Sequence, residues 1–319
     1  MFKTSAIRRA AGLVALLCGA WNATAQEATN QTSGDNLTDP RRLFVIPSAY
    51  VLKSFEINAS VGTNFGVITE EKRPFLGRTR IGLGDLAEVE ISNEGIINRL
   101  SEGSPAIPTV AFKLQLLPEG RVFPAVAGAL RSSLWTGEER SLSAATRIKF
   151  QLPSNNIKFE KRLATLYLVA SKTIGPTSFH AGMSISDLRV RAKDAGTGAP
   201  FSPNAEFIKA NDRDYFNKNI FTPFAGLQAI VNDRTMLMME LSRIAEYRFD
   251  EDEPILDANK VTTRLMGIAG VRFFFFNWMA LDTGVRYRSD FHGIGDAQIE
   301  AGLNFGLSLR DFVQAKGKL

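Results

Sequence analysis

Apolar and polar residues alternate without interruption from Ala297 to Leu309. Ala297, Ile299, Ala301, Leu303, Phe305, Leu307 and Leu309 fall on one face, and Gln298, Glu300, Gly302, Asn304, Gly306 and Ser308 on the other. Side chains of a strand point alternately to its two faces, so the predicted strand is apolar on one side and polar or small on the other. The same alternation recurs at 55–62, 87–92, 110–116, 146–152, 179–186, 264–273 and 279–288, with less regular runs at 75–83, 121–134, 163–174, 220–231 and 235–248.

Short turns (117–120, 174–177, 231–234, 277–278) alternate with long polar stretches (95–105, 190–219, 249–260). Strands joined by short turns at one end and long loops at the other predict a transmembrane antiparallel up-and-down β-barrel. The runs number thirteen, and the short–long phase slips once between 121 and 162. A closed antiparallel ring needs an even number. The expectation is therefore about twelve strands over 54–309, with ten and fourteen left open, and a short helix in the stretch 204–219.

A soluble β-sandwich would also alternate. Three features favour the membrane. Glycine and alanine flank the charged residues on the polar faces. Many runs reach the roughly 9–11 residues of a tilted membrane strand rather than the usual five or six. Aromatic residues (Phe273 to Phe276, Trp278, Trp135, Tyr247) gather near strand ends, where ring side chains favour the membrane–water boundary.

The first residues change the picture. Lys3, Arg8 and Arg9, the apolar stretch 10–20 and Ala23-Thr24-Ala25 have the layout of a cleaved secretory signal, giving a predicted leader over 1–25. Cys18 is the single cysteine and lies inside it, so no disulfide or cysteine metal site is expected. The net charge of +5 falls with it: three of the 38 basic residues leave, and 35 against 33 acidic ones gives +2. Nucleic-acid binding finds no support there. No apolar run after residue 25 is long enough for a helical span. Residues 26–53 read as a flexible lead whose apolar part, 43–52, forms a short strand or tucks into the barrel mouth; 310–319 is a C-terminal tail.

Glu300, Gly302, Phe305 and Leu307 have the spacing polar-x-Gly-x-x-aromatic-x-hydrophobic. This resembles the signal by which the barrel-assembly machinery recognises outer-membrane proteins, and implies that machinery as a partner. Pro47-Ser48-Ala49, Phe55-Glu56-Ile57 and the run Arg78-Thr79-Arg80-Ile81-Gly82-Leu83-Gly84-Asp85-Leu86-Ala87-Glu88-Val89 resemble a loose group of bacterial barrels, some assigned to phenol degradation. The resemblance implies fold and location in a Gram-negative outer membrane.

Candidate chemistry lies on the polar face. Arg78, Arg80, Lys113, Arg147, Lys149, Arg264, Arg272, Arg286 and Arg288 are expected to point into the lumen, with Glu56, Glu88, Glu90, Glu240, Asp282 and Glu300. They either form a charged constriction favouring anions or pair and plug the barrel. His180 (near Ser178 and Ser184) and His292 (near Ser289 and Asp290) lie in no recognisable nucleophile motif. Asp250 to Glu253 reads as a solvated loop rather than a calcium site, Gly82 to Asp85 as a tight turn, and Met236, Met238 and Met239 as space-filling. No metal or other cofactor is expected. The function expected first is a channel or transport barrel for small solutes in contact with outer-membrane lipid. A non-conducting accessory barrel of a surface or secretion assembly comes second, and a lipid hydrolase a distant third.

Overall fold

The computed structural model describes residues 42–66, 76–93, 108–141, 144, 156–198, 200–201, 216–247 and 261–309. They form one antiparallel sheet: β1 (Glu56–Gly66), β2 (Leu76–Leu83), β3 (Ala87–Ser92), β4 (Thr109–Leu117), β5 (Ala125–Ser133), β6 (Thr136–Ser141), β7 (Asn156–Ile174), β8 (Thr177–Asp194), β9 (Pro200–Phe201), β10 (Phe216–Asn232), β11 (Thr235–Tyr247), β12 (Val261–Phe276), β13 (Met279–Arg288) and β14 (Gln298–Ser308). Neighbours in sequence pair all the way round, and β1 pairs with β14, with Glu56 opposite Ser308 and Gly66 opposite Gln298. Twelve strands make the closed ring. The short β6 and β9 only extend the ladder beside β7 and β8.

The phase slip has a structural cause. β5 pairs directly with β7, so the described strands on either side of 146–152 are neighbours in the ring. That stretch lies outside the described residues, as do Arg147 and Lys149. Of the stretch 204–219, expected to carry a short helix, Phe216 to Asn219 belong to β10 and 204–215 lie outside the described residues. The leader, residues 26–41 and the tail also fall outside.

Burial is inverted relative to a soluble protein. Arg80 is 2% exposed and Arg272 0%, whereas Leu130 and Leu166 are each 59% exposed. A soluble monomer rarely shows apolar residues side by side over so wide an area. Hydrocarbon outside and polar groups inside account for it. Short turns close one end of the ring, including the three-residue connection Gly84 to Leu86, where φ values of 63° at Gly84 and 58° at Asp85 give two successive left-handed residues. Both β1 and β14 reach that end, where Phe276, Trp278 and Phe305 stack with centroids 5.4 and 6.4 Å apart.

Residues 42–54 lie inside the ring. They run toward the short-turn end and reverse into β1 at Phe55, a bulky residue held at φ 61°. A left-handed backbone there costs on the order of 1–3 kcal/mol. It is fixed by hydrogen bonds from Phe55 N to Gly82 O (3.1 Å) and from Leu309 N to Phe55 O (3.1 Å).

Candidate functional site

The inner segment is largely apolar in its side chains between Leu43 and Leu52, and every residue there except Pro47 brings a backbone donor as well as an acceptor. Inside a ring with no strand edge to offer, its backbone needs side-chain partners from the wall. Glu240 Oε2 accepts from Val45 N (2.9 Å) and Ile46 N (3.2 Å). Ser171 Oγ accepts from Ala49 N (2.8 Å) and Glu88 Oε2 from Leu52 N (3.1 Å). Lys113 Nζ donates to Tyr50 O (2.7 Å) and Ser48 O (3.3 Å), and Arg272 to Arg42 O (3.2 Å). Five strands, β3, β4, β7, β11 and β12, thus grip one short peptide by hydrogen bonds to its main chain.

Its side chains fill the remaining space. Leu43, Ile46 and Ala49 pack with Ala125, Ala127, Ala129, Val169 and Phe224. Phe44 packs with Met236, Met238, Met266 and Ile268. Glycines make the room: a Cβ on Gly226 would stand 2.6 Å from both Ile46 Cδ1 and Leu43 Cδ2, and one on Gly284 2.9 Å from Phe44 Cζ. Behind Gly226 the outer wall carries a groove of about 930 Å³ bordered by Ala181, Ala225, Leu227 and Ala269.

Most of the inward charges are paired, Glu240 instead taking the backbone donors of Val45 and Ile46. Glu88 holds Lys113 at 2.8 Å and Arg80 at 3.4 Å. Two residues further along the strand, on the same face, Glu90 holds Arg131 at 2.7 Å and Arg78 at 3.4 Å. Arg272 grips Asp282 with two bonds of 2.6 and 2.8 Å, the planar fork geometry that favours guanidinium–carboxylate pairs. Arg286 meets Glu300 at 2.8 Å. Toward the long loops, Asp290 meets Arg288 at 2.8 Å and Arg264 at 3.1 Å. Burial pulls the Asp290 carboxyl upward, but hydrogen bonding and charge from Arg288, then Arg264, hold it below the usual aspartate range. Glu56 sits at the short-turn end and accepts from Lys53 N.

Other residues singled out in the sequence fall as follows. Gly302 lies opposite Gly62 and Leu307 is 44% exposed on the outer face. Met236 and Met238 face inward and Met239 outward. His180 meets neither Ser178 nor Ser184: its Nδ1 lies 2.8 Å from Ser171 Oγ on the adjacent strand, and the Tyr50 ring meets it edge-on. The side chain of His292 is fully exposed, 4.0 Å from Asp296. Asp250 to Glu253 lie outside the described residues. Among the described residues no group of three or more potential ligands is placed to hold a metal ion.

Sequence reasoning missed Arg131, Ser171 and Arg42. Arg131 follows Leu130 in an irregular run, and its parity with the inward Ala125, Ala127 and Ala129 was the available signal. Ser171 and Arg42 gave none, because the contacts that place them in the site, Ser171 with Ala49 and Arg42 with Arg272, join residues distant in the chain.

At the short-turn end, Tyr50 donates to Glu119 Oε2 (2.6 Å), Thr173 N donates to Glu119 Oε1 (2.8 Å), and Lys172 lies 3.2 Å away. Partial burial raises the Glu119 carboxyl, but these partners outweigh it and hold the group below its ordinary value.

No family model and no curated protein matches the chain. Solved structures resemble it in architecture. The translocator domain of the autotransporter NalP from Neisseria meningitidis is 11% identical, over 78% of this chain and 87% of that one, with a TM-score of 0.43. The P. putida toluene transporter TodX is 10% identical over 80% and 89%, with a TM-score of 0.39. OmpT of Vibrio cholerae is 9% identical over 81% and 100%, with a TM-score of 0.38. The likeness extends to the barrel and no further. On its own geometry the chain is a twelve-stranded membrane-spanning β-barrel of the outer-membrane type, its lumen occupied by residues 42–54.

Proposed function

We propose that this protein is an outer-membrane passage for small solutes, closed by residues 42–54 and opened when that segment leaves its seat. The observation that carries the reading is how the segment is held. It is joined to the wall by one or two hydrogen bonds from each of five separate side chains and by packing against glycine and alanine. Each such bond contributes about 1 kcal/mol, or up to about 3 when one partner is charged. A seat of this kind is firm yet divisible. Outer-membrane lipid covers the apolar wall, the barrel-assembly machinery inserts it through the Glu300, Gly302, Phe305, Leu307 signal, and the protein catalyses nothing. The Ser171–His180 pair serves as an anchor for Ala49 N.

A crosslink tests this. With Ala49→Cys and Ser171→Cys, the oxidised protein is expected to give no current steps in a planar bilayer, and the reduced protein to open in steps. The charge pairing that fills the wall favours a second reading, a non-conducting accessory barrel. Absence of current from both the reduced protein and a variant lacking 42–53, each with heat-modifiable gel migration, would establish it.

A further inference from the structure

Beyond the apolar band, the outward face of β7 and β8 changes character. Outward residues on β8 run Phe179, Ala181, Met183, Ile185, then Asp187, Arg189, Arg191 and Lys193. On β7 they run Leu168, Leu166, Ala164, then Arg162, Glu160 and Lys158. A hydrocarbon band about 25 Å tall, crossed at roughly 40° with about 3.3 Å per residue, takes about ten residues. Counted from the short turn, the tenth residue of β8 is Ser186. The charges begin where the hydrocarbon ends, at the long-loop end that faces outward in barrels of this type.

These charges are neighbours in the ladder. Arg189 lies opposite Arg162, Arg191 opposite Glu160 and Lys193 opposite Lys158. Glu160 draws in Arg191 at 2.6 Å, Lys193 at 3.1 Å and Lys158 at 3.9 Å. Asp187 holds Arg189 at 2.7 Å, and Glu139 of β6 lies opposite Lys158. Among the described residues the patch carries five cations (Lys158, Arg162, Arg189, Arg191, Lys193) against three carboxylates (Glu139, Glu160, Asp187), an excess of two positive charges. Beside it β10 presents Asn217 and Asn219, opposite Arg189 and Asp187. The Arg191 guanidinium lies 4.2 Å from the centroid of the Trp135 ring, and Trp is the side chain that favours the headgroup level.

We infer that this band is a seat for the phosphate groups of an outer-leaflet glycolipid. Charge complementarity and height select that occupant. The excess is positive, the Arg planes suit phosphate oxygens, and the patch lies on the lipid-facing wall at headgroup depth rather than in the lumen or on a loop tip. Glu160 gathers the cations and the phosphate takes up their surplus charge. The inference rests on the membrane-spanning fold and its orientation and is independent of solute passage, because these side chains lie on the opposite side of the wall from residues 42–54.

The test uses the purified barrel in detergent micelles doped with bisphosphorylated lipid A or with the same lipid stripped of phosphate, and native mass spectrometry reads the lipid retained. Each cation near an anionic headgroup contributes on the order of fivefold in affinity. The phosphorylated lipid is therefore expected to bind about thirtyfold more tightly than the stripped one. Arg191→Gln with Lys193→Gln should bring the two close to parity, while Lys193→Arg keeps the preference. Equal affinity of the wild-type protein for both lipids overturns the inference, whether or not the double variant folds. So does an unchanged preference in a double variant that retains heat-modifiable migration. Displacement of the lipid by an equal concentration of inorganic phosphate would overturn the lipid assignment.

Discussion

Residues 42–54 meet two unlike walls. On the β3–β4 side the contact is polar and falls on the main chain: Glu88 takes Leu52 N, and Lys113 reaches the carbonyls of Ser48 and Tyr50. On the β5, β7 and β10–β12 side Ser171, Glu240 and Arg272 also bond the main chain, but here the side chains are engaged too, with Leu43, Phe44 and Ile46 against alanine, methionine and glycine. The first wall depends on charges that are costly to strand; the second adds shape to its own polar anchors, Glu240 and Arg272. Buried charges tolerate the loss of a partner poorly, whereas an apolar pocket loses only the area and the space that are removed. The polar wall should fix the position of the segment and the apolar wall its residence.

The largest effect is expected at Glu88. Glu88→Ala leaves Lys113 and Arg80 buried without their shared carboxylate and should cost about 3–5 kcal/mol, seen as a lower temperature for the shift from folded to unfolded gel migration. Ile46→Ala removes apolar contact over Gly226 and should cost about 2 kcal/mol, the low end for such truncations because the segment can settle. It is read as faster protease cleavage within 42–54, with the barrel's own migration unchanged. If Ile46→Ala lowers barrel stability as much as Glu88→Ala, the distinction between the walls fails.

The smallest effect belongs to the short-turn end. A carboxyl held low stabilises the native form above its ordinary value. For Glu119 that contribution is complete above pH 4.5 and is lost as pH falls through the lower folded value. Protease access to 42–54 should therefore rise below pH 4.5. Tyr50→Phe removes one of the hydrogen bonds, should cost about 1 kcal/mol, and should flatten that acid response.

Legibility in the sequence followed the membrane itself. The predicted 279–288 coincides with β13, and 297–309 brackets β14, because both faces there show their nature. β7 and β8 run well past their predicted ends. Alternation was visible only while the outward face was greasy, and Arg162, Arg189 and Arg191 erase the contrast once the wall leaves the hydrocarbon. The run 43–52 announced an apolar segment but not its seat, since Val45 meets Glu240 across 195 residues of chain. Arg80, Glu88, Lys113, Arg272 and Asp282 stood out as charges at inward parity. Which of them pair depends on register between strands, and that no local pattern encodes.

The seam between β1 and β14 has a consequence for biogenesis. Ile57 lies opposite Leu307 and Val61 opposite Leu303, so the cylinder can be sealed only after nearly the whole polypeptide has been made. Until then two raw borders of unmet amides stand open, ready to accept any passing strand. A product ending before residue 298 is expected to be a sticky fragment rather than a weaker pore, so the last strand made decides whether all the earlier ones become a usable molecule.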